Sequence, residues 1–216
     1  MTDHRAAFDA AFARCPLVAI LRGVKPDEVV AIGEALVDAG FSLIEVPLNS
    51  PDPLESISRL ADVLRGRAVI GAGTVLDTAS VAAVEQAGGT LIIAPNADVA
   101  VIAEAARRGL IAIPGIATPT EAFAALNAGA AALKLFPAEA FEPAVIKAMR
   151  AVLPADVRIL PVGGIAPNTM APWSVSGATG FGLGSALYKS GMTAGQVGAN
   201  ARAFMAALAT PSSDGG

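Results

Sequence analysis

Short aliphatic runs alternate along the chain with longer stretches whose apolar positions recur every three or four residues, the signature of strands alternating with helices. Five times a helical stretch ends in Gly just before an aliphatic run. Asp38-Ala39-Gly40 precedes Leu43–Leu48, Gln86-Ala87-Gly88 precedes Leu91–Pro95, and Arg107-Arg108-Gly109 precedes Ile111–Pro114. Asn127-Ala128-Gly129 precedes Ala132–Phe136, and Val175-Ser176-Gly177 precedes Gly180–Gly184. A left-handed Gly ends each helix and turns the chain into a buried strand. Three further strands, Leu17–Arg22, Ala68–Thr74 and Arg158–Gly163, follow helices near 6–14, 53–65 and 142–153. Helix starts are marked by Lys25-Pro26-Asp27-Glu28, Ser50-Pro51-Asp52-Pro53 and Thr118-Pro119-Thr120-Glu121. A last helix is expected at about 194–209.

Alternating units with right-handed crossovers predict an α/β fold with a parallel sheet. Eight units without a change of composition favour a single (β/α)8 TIM barrel over residues 1–216, with a short N-terminal helix at 6–14 and a mobile tail at 211–216. The alternative is an open doubly wound sheet, which usually carries a Gly-rich fingerprint after its first strand. Here that strand runs into Arg22-Gly23-Val24-Lys25-Pro26, which is not one.

Composition narrows the picture. Apolar residues make up 54% of the 216 and aromatics only 5%, so the core must be aliphatic, as suits strands covered on both faces. The net charge of −4 and the lack of any basic cluster beyond Arg107-Arg108 argue against nucleic acid as a partner. No apolar run approaches the ~20 residues that span a bilayer, and the charges of Asp3, His4, Arg5 and Asp9 do not suit a signal peptide. A cytoplasmic location without membrane contact is expected. Cys15 stands alone and is read as a small buried apolar residue.

The active site of such a barrel lies at the C-terminal strand ends, here Arg22, Glu45, Thr74, Asn96, Gly115, Lys134, Gly163-Gly164 and Gly184-Ser185. Of the four lysines, Lys25, Lys147 and Lys189 fall at a helix start, on a helix surface and in a loop. Lys134 alone interrupts a strand. A buried ammonium is costly, so Lys134 is either half of an ion pair or an amine nucleophile for a carbonyl. Glu45 interrupts the second strand in the same way. It is a counter-ion, an acid–base group, or both in turn. The only histidine, His4, lies in a terminus expected to be mobile, which excludes His-based nucleophilic schemes and His-ligated metals. Gly163, Gly164, Gly184 and Ser185 end the seventh and eighth strands, where barrels often bind phosphate through backbone N–H groups. Arg22 is placed to hold a carboxylate or to remain a solvated rim charge, and Thr74 offers a hydroxyl beside small residues.

Five segments carry a resemblance to a known family: Ala19-Ile20-Leu21-Arg22-Gly23, Glu45-Val46-Pro47-Leu48-Asn49-Ser50-Pro51, Ile70-Gly71-Ala72-Gly73-Thr74-Val75, Leu133-Lys134-Leu135-Phe136-Pro137 and Pro161-Val162-Gly163-Gly164. In this order they closely resemble the 2-keto-3-deoxy-6-phosphogluconate and -phosphogalactonate aldolases, a family of class I aldolase barrels, over about Pro16 to Tyr188. The resemblance implies a Schiff base on Lys134, acid–base work by Glu45, and Arg22 and Thr74 at the pyruvate-derived end. It puts Gly163, Gly164, Gly184 and Ser185 around the phosphate. It also implies a homotrimer with no metal and no cofactor. The substrate would be a phosphorylated 2-keto-3-deoxy sugar acid, and the products pyruvate and glyceraldehyde 3-phosphate. Gluconate-type members usually carry Thr, Arg and Thr where this chain has Pro47, Asn49 and Val162. Those three positions resemble the phosphogalactonate branch and are expected to set specificity. The alternatives are the gluconate or 4-hydroxy-2-oxoglutarate activity, a metal-dependent pyruvate aldolase with Lys134 as a structural cation, and a non-catalytic phosphosugar-binding barrel.

Overall fold

Strands β1 (Leu17–Ile20), β2 (Leu43–Pro47), β3 (Val69–Gly73), β4 (Leu91–Ile93) and β5 (Ile111–Ile113) lie side by side in parallel in a computed structural model that describes residues 3–209. The tail at 211–216 lies outside the described residues. With β9 (Phe181–Leu183) the first sheet has the order β5-β4-β3-β2-β1-β9. A second, three-stranded parallel sheet is formed by β6 (Gly115–Ile116), β7 (Leu133–Leu135) and β8 (Ile159–Pro161). Backbone hydrogen bonds link the two sheets on either flank. The N–H groups of Ala131 and Lys134 donate to the carbonyls of Ala112 and Pro114, both at 2.9 Å, and Val162 bridges Gly182 in parallel.

The strands alternate with α2 (Val29–Asp38), α3 (Pro53–Val63), α4 (Thr78–Gln86), α5 (Val99–Arg107), α6 (Pro119–Asn127), α7 (Ala144–Arg150), α8 (Met170–Val175) and α9 (Ala194–Ala209). The Gly ending each repeated unit is left-handed, with φ of 104° at Gly40 and 101° at Gly129. Helix α6 starts with a capping box: Thr118 accepts from the N–H of Glu121, whose side chain accepts from the N–H of Thr118. At Lys25-Pro26-Asp27-Glu28 the helix begins only at Val29. The Glu28 carboxylate accepts from the Lys25 N–H and closes a turn ahead of it.

The expected strands are trimmed at their C-terminal ends, so Arg22, Thr74, Gly163, Gly164 and Gly184 lie on loops just beyond them. The fifth strand, expected as one piece, is broken at Pro114, which has no N–H to donate to a ladder. The helix expected at 142–153 is confined to Ala144–Arg150.

Two apolar layers follow from the period-two alternation. Outward residues such as Ile44, Val46, Leu133 and Leu135 meet the surrounding helices. Inward residues Val18, Leu43, Leu91, Ile93, Ile111, Ile113, Ala132 and Leu160 form a second cluster with Phe8, Ala11 and Phe12. Those last three belong to α1 (His4–Arg14), which stops the N-terminal end of the strands. His4 therefore lies in an ordered first turn, not in the mobile terminus expected of it. The Asp3 side chain caps that turn by accepting from the Ala6 N–H.

Candidate active site

Glu45 and Lys134 occupy inward positions one alternation step beyond the interior apolar cluster, so their polar ends meet across a small cavity walled by Val18, Ile20, Ile93, Ile113, Leu160 and Val162. Glu45 is 2% exposed and Lys134 6%. The strand pattern dictates this. In Leu43-Ile44-Glu45 and Ala132-Leu133-Lys134 every second residue points inward, which carries both charged side chains to the interior. Gly73 makes room for the carboxylate, since a Cβ there would lie 2.6 Å from Glu45 Oε1. Gly115, opposite Lys134 in the ladder, allows an equally close approach. A Cβ on it would lie 2.2 Å from the Pro95 carbonyl oxygen.

Burial acts on the two groups in opposite senses. It pushes the Glu45 carboxyl above its ordinary pKa, against the attraction of Lys134 and Arg22. It pulls the Lys134 ammonium below its ordinary pKa. The Glu45 charge opposes that shift and the Arg22 charge assists it. Both move toward their uncharged forms. Glu45 Oε2 has no hydrogen-bond partner, and the two side chains form no direct ion pair among the described residues. The Lys134 ammonium instead lies 4.6 Å from the centre of the Phe136 ring.

A cleft of about 340 Å³ opens above this pair. It brings together Arg22, Val162, Gly163, Gly164, Gly184 and Ser185, six of the residues singled out in the sequence. The Arg22 guanidinium donates to Asn49 Oδ1 at 2.8 Å, and the Gly23 N–H donates to Ser50 Oγ at 2.9 Å, which fastens the loop after β1 to the loop after β2. Gly163 and Gly164 have φ of 113° and 68°, a left-handed pair that L side chains rarely adopt. Thr74 is also left-handed, with φ of 58°, at the end of the strand whose Gly73 abuts Glu45. Pro47 closes β2 in register with Gly73. Asn96 is exposed and lines neither the cavity nor the cleft. Among the described residues, no three His, Cys, Asp or Glu side chains converge as a metal site would require.

Sequence reasoning missed three polar side chains lining the cleft: Glu139, Tyr188 and Lys189. Lys189 reads in the sequence as a loop lysine, although it follows Gly184-Ser185 by only a few positions. Glu139 lies in a short 3-10 turn, Ala138–Ala140, after β7 that no periodicity announced.

The profile of the family "Aldolase: KDPG and KHG aldolase" matches residues 8–201. The chain is 50% identical over 192 residues to a probable 2-dehydro-3-deoxy-6-phosphogalactonate aldolase of Rhizobium meliloti (strain 1021), covering 89% of this chain and 91% of that one. It is 47% identical over 194 residues to the 2-dehydro-3-deoxy-6-phosphogalactonate aldolase of Escherichia coli (strain K12), covering 90% and 95%. A solved structure described as native KDPGal superposes with a TM-score of 0.89 at 47% identity, over 90% of this chain and 95% of that one. The Glu45–Lys134 cavity thus lies within a chain that belongs to the KDPG and KHG aldolase family.

Proposed function

We propose that this protein is a class I aldolase that cleaves 2-dehydro-3-deoxy-6-phospho-D-galactonate to pyruvate and D-glyceraldehyde 3-phosphate. One observation carries the chemistry. A lysine and a glutamate share a desolvated cavity, and burial favours the neutral form of each. An amine that has lost its proton can attack the C2 ketone, and a carboxylic acid that has kept its proton can give it to the departing oxygen.

In this reading Lys134 Nζ adds to C2 to give a carbinolamine. Loss of water, with a proton from Glu45, leaves an iminium. The now ionised Glu45 takes the C4 hydroxyl proton as the C3–C4 bond breaks, and the iminium accepts that electron pair as an enamine. Glu45 then returns the proton to C3, and water hydrolyses the iminium to pyruvate and free amine. Arg22, fixed by Asn49, holds the substrate carboxylate with help from Thr74. The N–H groups near Gly163, Gly164 and Gly184, with the Ser185 hydroxyl, receive the phosphate. Borohydride added with pyruvate should fix a covalent adduct on Lys134. An unmodified lysine after that treatment would defeat the mechanism.

The preference for the galactonate epimer rests on Pro47, Asn49 and Val162. Val162 lines both the inner cavity and the outer cleft, and Asn49 is committed to Arg22. The epimers differ at C4, beside the bond that breaks, and apolar contacts there discriminate by ~1–3 kcal/mol. We expect kcat/KM to favour the galactonate epimer about tenfold or more. Equal values for the two epimers would remove the preference.

The same reading takes the two linked sheets as one closed (β/α)8 barrel forming a single domain, assembled as a cytoplasmic homotrimer. The linking hydrogen bonds support closure. Exposed Leu76, Val99 and Phe123, on three successive units, support association. No described helix is long and apolar enough to cross a membrane.

A further inference from the structure

The outer cleft is lined by three charged side chains, Arg22, Glu139 and Lys189, and by Tyr188. Their charges do not serve the same end of a ligand. Arg22 is bound to Asn49, and its field reaches Glu45 and Lys134, so it belongs to the end where bonds change. Glu139 stands against the glycine pair, with Oε2 3.3 Å from the point a Cβ on Gly164 would occupy. A carboxylate there repels a phosphate seated on the same backbone. Arg22 and Glu139 alone would leave the cleft without net charge. The remaining cation, Lys189, forms no ion pair among the described residues and lines the cleft with Gly184 and Ser185.

We infer that Lys189 is the cation that recognises the terminal phosphate, and that Glu139, lining the same cleft, sets how strongly the phosphate is preferred over an uncharged end. The backbone that carries Lys189 is fixed for this task. The Gly184 carbonyl accepts from the N–H groups of Leu187 and Tyr188 at 2.9 and 3.0 Å, closing one turn beside the cleft. Tyr188 is 2% exposed, and its O–H donates to Glu28 Oε1 at 3.0 Å. Burial and the Glu28 carboxylate both hold the proton on the phenol, so Tyr188 remains a neutral anchor. On the other side the Lys189 N–H points at Met192 Sδ, 3.4 Å away. The lysine stem therefore starts from a fixed point at the rim. Backbone N–H groups and the Ser185 hydroxyl can bond to a phosphate or to a plain hydroxyl. The full charge is what separates the two.

The inference rests on the aldolase reading, and its test keeps the two apart. The measurement is kcat/KM for joining pyruvate to D-glyceraldehyde 3-phosphate and to unphosphorylated D-glyceraldehyde. The parent is compared with Lys189→Met, Lys189→Arg and Glu139→Gln. Lys189→Met should lower the phosphorylated-to-unphosphorylated ratio about tenfold, through KM for the phosphorylated aldehyde and with a weaker dependence on salt. Lys189→Arg should restore most of the ratio, and Glu139→Gln should raise it about threefold. A ratio unchanged in Lys189→Met, or equal losses on both aldehydes, would overturn the inference while leaving the aldolase reading intact. A parent that joins pyruvate to neither aldehyde would sink the aldolase reading, and the inference with it.

Discussion

Burial lowers the affinity of Lys134 for its proton, with Glu45 opposing that shift and Arg22 assisting it. The sign of a pH experiment follows. Adduct formation with pyruvate, trapped by cyanoborohydride, should speed up as pH rises and Lys134 loses its proton, below the range usual for lysine. Glu45→Gln removes the carboxylate that, once ionised, holds the proton on Lys134, so this rise should move to still lower pH, while later proton transfers and overall cleavage fall by about 10²–10⁴. A rise that stays in place would mean that Glu45 carries no charge while Lys134 titrates. Thr74 permits a second test at this scale. A β-branched residue at φ of 58° is strained by about 1–2 kcal/mol, and Gly would relieve the strain at an entropic cost of about 0.5–1 kcal/mol. Thr74→Gly should therefore unfold within about 1 kcal/mol of the parent, yet lose kcat/KM. A large loss of stability with normal kinetics would assign the hydroxyl to the fold rather than to the substrate. Lys134 and Glu45 were legible in the sequence because a charge inside an aliphatic strand has few explanations. Glu139 and Lys189 were not, since a charge on a loop looks the same whether it faces water or a ligand.

At the scale of elements, α1 shows where one-dimensional reading stops. Its amphipathic pattern announced a helix, but its partner lies far along the chain. Arg158, at the start of the seventh unit, stacks over the Phe8 and Phe12 rings at 5.2 and 4.8 Å and pairs with Asp9. Phe8 is fully buried among the inward residues of the strands, so α1 is part of the core. Removing that ring should cost about 3–5 kcal/mol. We expect Phe8→Ala to lower the midpoint of thermal unfolding clearly. Pyruvate trapping in the cold should persist, because Lys134 and Glu45 lie at the other end of the strands. A small effect on unfolding would show that α1 covers the strands without supporting them. The Pro114 break was equally hard to foresee. Proline marks where a ladder loses a donor, but not that the chain resumes pairing one residue later, at Gly115.

For the whole molecule, alternating parallel strands and helices were legible because each unit repeats the same instruction, a Gly-ended helix followed by a buried strand. The proposed association has no such repeat to announce it, and the exposure of apolar side chains after folding supports it. Leu76 before α4, Val99 at the start of α5 and Phe123 in α6 are between 41% and 51% exposed, although α4 packs on α5 and α5 on α6. Three large apolar side chains on successive units are poorly solvated, and another copy of the chain could cover them. Sedimentation of the parent should give a trimer, and Leu76→Glu combined with Phe123→Glu should give monomers, since a carboxylate buried at an interface without a partner is costly. Every proposed site residue comes from a single chain, so these monomers should still trap pyruvate on Lys134. A parent that sediments as a monomer would refute the trimer. A trimer that survives both charges would move its interface to another face of the molecule.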